Sequence, residues 1–283
     1  RYSFDSMKVS FQPEAVIRPA LAAEVGKALE LANVYSIPIT PRGAGSSRTA
    51  GAAPRQGGWV LDLQDLNTLE IDAGQGLAKV GAGVLTADLQ AEAEAAGWYY
   101  PPDPSSRKYS TLGGNIACNA GGLRGAKYGV TRDYVLALSG FLPTGEWVQW
   151  GRDTRKFASG FNLRDLWIGC EGLLGVVTGA TLRLVPKPES KRTFLAAFSD
   201  ESSALQAIHK LLRIPLVPAI CEFMDRNAVR GAEIFQERPV FPGLEGVAVV
   251  LLELDGKEST LQEEKKMVTD WAAAEAQIGR AHV

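Results

Sequence analysis

The chain has 283 residues, 46% of them hydrophobic and 22% charged, a balance typical of globular proteins with a sizeable core. Its net charge of -2 gives no electrostatic reason to expect nucleic acid as a partner, and no segment reaches the roughly 18 apolar residues of a membrane span. The three cysteines, Cys118, Cys170 and Cys221, lack C-x-x-C spacing, which favours reduced thiols over disulfides or a zinc site. We therefore expect a cytoplasmic protein with a small-molecule partner.

Both ends of the chain differ from natural termini. Arg1 lies in a polar segment without an initiator Met, so we expect the natural start to be missing. Residues 278–283 (IGRAHV) follow a helical pattern without a cap and match the translation of a common sequencing-library adapter. We therefore expect an artefactual tail there, which includes His282.

The first predicted elements alternate helices, strands and turns. Apolar residues at helical spacing predict a helix over 22–34, followed by a strand over 37–40 and a glycine-rich turn. Two β-type runs, GGWVLDL and GLAKVGAG, precede a helix (LTADLQAEAEAA) that Gly97 should end in a left-handed conformation. The prolines of WYYPPDPSS predict an extended or turning segment.

The next elements complete a first domain. DYVLALSGFLPTGEWVQWG predicts a hairpin with a Pro-Thr-Gly turn. NLRDLWIGCEGLLG predicts a helix with Asn162 as N-cap and Asp165 three residues later, and VVTGATLRLVPKP predicts a strand closed by prolines. We therefore expect one domain over residues 1–190 and the start of a second over 191–277.

The second segment predicts the order strand, helix, strand, irregular segment, strand, helix. The irregular part lies between AICEFMD and VAVVLLELDG, and the closing helix is highly charged. This order is typical of an α+β sandwich that is left unfinished.

Three glycine-rich loops are the candidate binding elements: 41–54 (PRGAGSSRTAGAAP), 110–125 (STLGGNIACNAGGLRG) and 169–177 (GCEGLLGVV). Successive backbone N–H groups of the first loop can cradle a phosphate, and a plain tight turn is an equally good interpretation. Neither a Walker A motif nor a G-x-G-x-x-G fingerprint is present. Three such loops, with PPDPSS between the first two, would suit a long ligand such as FAD.

These motifs carry a family resemblance. In order and spacing, PRGAGSS, YPPDPSS, TLGGNIACNAGGLRGAKYGVTRDYVLAL, LPTGE and GCEGLLGVVTGATLRLVPKP resemble the FAD-binding domain of the vanillyl-alcohol-oxidase type. Within that family, residues 8–277 are most similar to the branch of the glycolate oxidase FAD subunit and D-lactate dehydrogenase. The resemblance implies an α+β fold: a two-subdomain FAD-binding domain with the cofactor between its halves, followed by the start of a ferredoxin-like α+β substrate cap.

The resemblance also implies a set of cofactor contacts, taken residue by residue from the matching motifs. The pyrophosphate would be held by the backbone of Arg42, Gly43, Ala44, Gly45, Ser46 and Ser47. The ribityl and flavin region would be lined by Pro102, Asp103, Thr111, Gly114, Asn115, Gly121 and Gly122. The adenine or pyrophosphate side would be completed by Gly172, Val176 and Val177.

The glycines of the second loop would allow close approach of the backbone to the cofactor. Without Cβ atoms, they would let the backbone lie against the cofactor, while two asparagines supply polar contacts. The residues concerned are Gly113, Gly114, Gly121 and Gly122, with Asn115 and Asn119. Many relatives tether the flavin through a histidine, whereas this chain has Ser46 there and no histidine before His209, so FAD should be bound non-covalently.

The resembled branch implies an FAD-dependent oxidoreductase that oxidises a 2-hydroxy acid, glycolate or D-lactate, to the 2-oxo acid with hydride transfer to flavin N5. Its partners would be the substrate and an iron-sulfur or respiratory electron-acceptor subunit, in the cytoplasm or peripheral to the inner membrane. His209, at the margin of an apolar helix face, is expected to be solvated. The branch's histidine-bound divalent metal lies beyond this chain, so the catalytic residues are unknown and the fragment should bind FAD without turnover.

Two other functions stay open. One is a flavin-dependent transferase of the alkyl-dihydroxyacetonephosphate synthase kind, and the other is a non-catalytic FAD-binding module. Three residues in or directly after the second loop also have two interpretations each. Lys127 and Tyr128 either approach the flavin or serve as a turn lysine and a packed tyrosine. Arg124 pairs either with a substrate carboxylate or with a surface carboxylate.

Overall fold

The computed structural model describes residues 1–241 and 248–275 and divides into two compact units. Unit 1 comprises Arg1–Gly122 and Gly129–Lys187, and unit 2 comprises Leu123–Tyr128 and the residues from Pro188 onwards. The tail predicted to be artefactual, 278–283, lies outside the described residues. No helix in the described ranges is long and apolar enough to cross a membrane.

Unit 1 begins with a small parallel sheet of order β1-β3-β2 and its connecting helix α1. Helix α1 has the predicted bounds, but strand β2 begins later than predicted, because the Ile37 amide donates to the Ala32 carbonyl and so belongs to the end of the helix. The face of α1 with Val25 and Leu29 packs on the core of this sheet. The elements are β1 (Ala15–Ile17), α1 (Ala22–Val34), β2 (Ile39–Arg42) and β3 (Trp59–Asp62).

A five-stranded antiparallel sheet of order β4-β5-β9-β7-β8 forms the other half of unit 1. The predicted hairpin is confirmed as β7-β8, with Phe141 opposite Trp147. The sequence missed β4, which pairs with β5 across a short turn. The strands are β4 (Leu69–Asp72), β5 (Leu77–Gly81), β7 (Val135–Phe141), β8 (Trp147–Gly151) and β9 (Val176–Arg183), and β6 (Trp98–Tyr99) pairs with β10 (Val185–Pro186).

The helices of unit 1 outside the first sheet are short. Helix α2 is followed, as predicted, by Gly97 in a left-handed conformation with a φ of 78°. Asn162 caps α5 as predicted, but this helix stops far earlier than predicted because Gly169 takes a φ of 86°. The elements are α2 (Thr86–Ala95), α3 (Leu112–Cys118), a 3₁₀ helix (Thr131–Asp133) and α5 (Leu163–Trp167).

Unit 2 packs helices on an antiparallel sheet of order β11-β13-β12. Phe194, Phe198 and Trp271 belong to its core, and the Trp271 indole N–H donates to the Ala207 carbonyl at 2.9 Å. The described elements are α4 (Gly125–Tyr128), β11 (Ser190–Phe198), α6 (Glu201–Leu211), β12 (Ile220–Met224), α7 (Arg226–Gln236), β13 (Ala248–Gly256) and α8 (Glu258–Glu275).

Two predictions for unit 2 have different outcomes. His209 is exposed on α6, as expected. The segment predicted to be irregular instead contains α7, whose N-terminus is capped by the Asp225 side chain accepting from the Ala228 amide at 2.6 Å. None of its residues is buried. The prediction missed α7 although its apolar residues lie on one face, because the segment is polar overall and contains Gly231 in the middle of the helix.

Candidate functional site

Unit 1 contains a cavity of about 170 Å³ lined by all three glycine-rich loops. This volume is below the roughly 300–1,000 Å³ of sites for drug-sized ligands, so the cavity can hold one part of an extended ligand. It brings together most of the predicted contacts: Arg42, Gly43, Ala44, Gly45, Ser46, Ser47, Thr111, Gly114, Asn115, Gly172, Val176 and Val177.

The first loop presents a run of unused donors to this cavity. The backbone amides of residues 43–47 donate to no acceptor in the described ranges 1–241 and 248–275. Folded proteins almost always satisfy buried backbone N–H groups, and the partly exposed amides of residues 43–47 are open to solvent or to a ligand. Successive amides that line a concave surface form a site for an anion such as a phosphate. The residues therefore fit the phosphate-bearing part of a nucleotide.

Arg42 supports this loop from the strand end that precedes it. Its side chain is 6% exposed and donates to the carbonyls of Ala52 at 2.9 Å and Arg1 at 3.2 Å. Burial lowers the pKa of the guanidinium, and the carboxylates of Asp62 and Asp5 oppose that shift. Because arginine stays charged in proteins, Arg42 places a buried positive charge beside the free amides.

Close packing explains why the loop needs glycine. Gly45 has a φ of 70°, a left-handed conformation, and a Cβ there would collide with the Arg42 guanidinium. A Cβ on Gly43 would collide with the side chain of Thr111. Both glycines thus let the loop, which lines the cavity, lie against other residues of unit 1.

The second loop is built around α3, and two of its glycines pack closely against the chain itself. Thr111 caps α3 by accepting from the Gly114 amide at 3.4 Å. A Cβ on Gly113 would meet Ala82, and one on Gly122 would meet the backbone of Asp103. Packing within the chain therefore requires these two glycines. Gly113 and Gly114 both line the cavity, but Gly114 differs in its packing, because a Cβ there would meet only the Thr111 side chain of its own cap.

The two asparagines of this loop make hydrogen bonds within the chain, and Asn115 also lines the cavity. Asn115 is 3% exposed, and its side-chain amide donates to Thr86 Oγ1 at 2.6 Å. Asn119 ends α3 with a φ of 47°, and its Oδ1 accepts from the Arg132 amide at 2.9 Å. These asparagines hold the loop in shape.

Four predicted contacts do not line the cavity: Pro102, Asp103, Gly121 and Gly122. The Asp103 carboxylate is buried and accepts from the Arg107 guanidinium at 2.9 Å. The neighbouring Ser106 does line the cavity. The assignment of Pro102, Asp103, Gly121 and Gly122 to the ribityl and flavin region stays a prediction.

Three cavity-lining residues were not selected from the sequence: Cys118 at the end of α3, and Cys170 and Glu171 in the third loop. Burial and the Glu171 carboxylate raise the pKa of the Cys118 thiol, and Ser47 opposes them through a hydrogen bond. The signal for Glu171 was present in the sequence, because it is the one charged residue among the glycines of GCEGLLG.

Lys127 and Tyr128 lie in unit 2 and bind a buried carboxylate there. Lys127 Nζ lies 2.6 Å from Asp255 Oδ1, and the Tyr128 hydroxyl donates to Oδ2 at 2.8 Å. The cluster explains how the segment Leu123–Tyr128 is held in this unit. Among the described residues, no group of three or more His, Cys, Asp or Glu side chains could hold a metal ion.

Two family models match the chain. An FAD binding domain matches residues 13–151, and the C-terminal domain of FAD linked oxidases matches residues 187–282.

Named relatives cover most of the chain. It is 39% identical to the glycolate oxidase subunit GlcD of Bacillus subtilis, over 94% of this chain and 57% of that protein. It is 37% identical to a D-lactate dehydrogenase of Anaerostipes hadrus, over 90% and 55%. A D-2-hydroxyglutarate dehydrogenase of Stutzerimonas stutzeri is 34% identical, over 70% and 43%. The chain therefore spans about half the length of these relatives.

Solved structures support the fold. Alkyldihydroxyacetonephosphate synthase superposes with a TM-score of 0.77, covering 92% of this chain and 51% of that one, at 21% identity. At this identity the likeness concerns the fold alone, and it agrees with the predicted α+β class.

Proposed function

Because the chain belongs to the FAD-linked oxidase family, we propose that it binds FAD and forms part of an oxidoreductase that converts a small 2-hydroxy acid to the 2-oxo acid. Glycolate and D-lactate are the proposed substrates, since relatives named for both are 37% to 39% identical. The activity is proposed for the whole protein, as the chain spans only about half the length of those relatives.

The observation that carries FAD binding is the run of free amides at residues 43–47. An anion placed there would satisfy donors that the fold leaves unused, and the buried Arg42 guanidinium would add a favourable charge. We assign the pyrophosphate of FAD to this loop. Gly172, Val176 and Val177, on the opposite loop of the same cavity, are proposed for the adenosine side.

The bound cofactor would supply the hydride acceptor of the reaction, the N5 atom of its flavin. The contribution proposed for this chain is to bind and orient the dinucleotide through the loop amides. Attachment is proposed to be non-covalent, because Ser46 stands where relatives with a tethered flavin have histidine. The base, a divalent metal and an electron-accepting partner subunit remain predictions for the whole protein.

The binding step is tested by mixing the purified chain with FAD and separating free flavin by gel filtration. We expect flavin absorbance in the protein fraction and its full release into the supernatant on acid precipitation. Protein without flavin would overturn the proposal, and flavin that stays in the acid pellet would overturn non-covalent attachment.

The reaction is tested on the full-length protein loaded with FAD and mixed anaerobically with glycolate or D-lactate. We expect loss of the visible flavin absorbance and formation of the matching 2-oxo acid. Persistently oxidised flavin with both acids would contradict the oxidoreductase. Transfer of an alkyl or acyl group without net flavin reduction would instead indicate a flavin-dependent transferase.

A further inference from the structure

Glu171 takes an unusual backbone conformation in the third loop. Its φ is 52°, in the left-handed region, as are those of Gly169 at 86° and Gly172 at 83°. Glycine adopts this region readily, whereas a residue with a Cβ is strained there. The chain therefore places a carboxylate at a position where glycine would fit the backbone better.

Contacts from two other segments hold Glu171 in place. Its backbone amide donates to the Ala117 carbonyl at 2.9 Å, and its Oε2 accepts from the Thr49 hydroxyl at 2.8 Å. The Thr49 hydroxyl in turn lies 2.9 Å from Ser47 Oγ. The carboxylate is thus attached to the same loop whose amides face the cavity, and its direction is fixed relative to them.

The second carboxylate oxygen is available to a ligand. Oε1 accepts no hydrogen bond from residues within 1–241 or 248–275, and Glu171 lines the cavity. The field of this carboxylate reaches into the cavity, because it contributes to raising the pKa of the Cys118 thiol. The cavity therefore combines donors and positive charge on one loop with a negative acceptor on another.

This combination selects the chemistry of the ligand. A phosphate at residues 43–47 would be repelled by Glu171 if it extended toward it, so the adjoining part of the ligand must be uncharged and must donate hydrogen bonds. In a nucleotide, the sugar hydroxyls are the donors next to the phosphates. Carboxylates that accept from ribose hydroxyls are a recurring feature of dinucleotide sites.

We propose that Glu171 accepts hydrogen bonds from the ribose hydroxyls of the adenosine half of the dinucleotide, and that it thereby favours FAD over FMN. The proposal rests on the FAD binding proposed above. Glu171 is a specificity-determining residue in this account, and Thr49 is its positioning residue.

The test compares ADP with 2′-deoxy-ADP and 3′-deoxy-ADP as competitors of FAD bound to the chain. Wild type should bind ADP about tenfold more tightly than at least one deoxy analogue, as expected for a charge-assisted hydrogen bond. Glu171→Gln should weaken the binding of ADP about tenfold. It should leave the affinity for that deoxy analogue within about twofold of its wild-type value. Thr49→Val should show a smaller loss in the same direction.

Glu146→Gln is the matched control. Glu146 is also an exposed glutamate that accepts from a threonine hydroxyl, Thr144 at 3.1 Å, but it does not line the cavity. Glu146→Gln should leave the affinities for FAD, ADP and both deoxy analogues unchanged. The melting temperature of each variant separates loss of binding from loss of folding.

Equal weakening of ADP and both deoxy analogues by Glu171→Gln would overturn the proposal, as would tighter binding of ADP. In either case wild type still binds FAD, so the proposed function stands. Failure of folded wild type to bind FAD would overturn both.

Discussion

The free amides of residues 43–47 in unit 1 contrast with the packed core of unit 2. In unit 2 even the indole N–H of the buried Trp271 has a carbonyl acceptor, and apolar side chains from two helices, α6 and α8, and three strands fill the interior. In unit 1, five successive amides without an acceptor belong to residues that line a cavity. Unit 2 thus uses its residues for stability, whereas the first loop of unit 1 reserves polar groups for a ligand. Substitutions in the two regions should therefore change different quantities.

The largest effect on stability is expected from Trp271→Ala. The side chain is 5% exposed, packs near Phe198 and binds the Ala207 carbonyl, so its removal leaves a cavity and an unpaired acceptor. We expect a loss of about 3–5 kcal/mol in the free energy of unfolding, measured by urea denaturation. Trp147→Ala, at a tryptophan that is 58% exposed, should cost well under half of that. Equal losses would contradict the core assigned to unit 2.

A smaller loss is expected from Lys127→Met. Asp255 would keep its hydrogen bond from the Tyr128 hydroxyl but lose its charged partner. Because Lys127 is itself partly exposed, we expect a loss of only about 1–2 kcal/mol in the free energy of unfolding. Adding Asp255→Asn to this variant should cost less than the sum of the two single losses, because the pair shares one interaction. Strictly additive losses in urea denaturation would show that the pair does not stabilise unit 2.

In the first loop the measured quantity becomes affinity. Arg42→Met removes the buried charge and the bonds to Ala52 and Arg1, so FAD should bind about tenfold more weakly. Riboflavin, which has no phosphate, should be unaffected within about twofold. Arg42→Lys should recover part of the FAD affinity, because it restores the charge without the planar fork. Parallel losses for FAD and riboflavin in a fluorescence titration would indicate a structural role only.

The smallest effect concerns the Cys118 thiol. Because its pKa is raised, the reactive thiolate should form at higher pH than in a free cysteine, and iodoacetamide labelling should rise correspondingly late. Glu171→Gln removes one cause of the shift and should move the labelling profile to lower pH. A Cys170→Ser, Cys221→Ser background isolates the site. A profile unchanged by Glu171→Gln would contradict the proximity of the two groups.

Local patterns predicted some of these features and missed others for physical reasons. The spacing of Val25 and Leu29 was sufficient to predict α1, because burial on one face leaves a periodic signal. The turn after Phe141 was sufficient to predict the β7-β8 hairpin. Helix α7 also has apolar residues at helical spacing, but the overall polarity of the segment and Gly231 within it obscured that signal. For Gly113 and Gly122, the partners are Ala82 and Asp103, distant in sequence, so the sequence could not distinguish approach to a ligand from approach to the chain. Glu171 was not selected from the sequence because its side chain is positioned by a hydrogen bond from Thr49, which is distant in the chain.

The most direct test of the central claim compares Gly45→Ala with Gly97→Ala. Both glycines have a similar positive φ, 70° and 78°, but Gly45 lies on the amide loop against Arg42, whereas a Cβ on Gly97 would meet nothing within 4 Å. Both variants should lose about 1 kcal/mol of stability from backbone strain. Gly45→Ala should lose more than Gly97→Ala, because its Cβ must also displace the Arg42 guanidinium. In a fluorescence titration, we expect FAD affinity to fall at least tenfold in Gly45→Ala and to stay within about twofold of wild type in Gly97→Ala. Unchanged FAD affinity in a folded Gly45→Ala protein would contradict the assignment of the phosphates to residues 43–47.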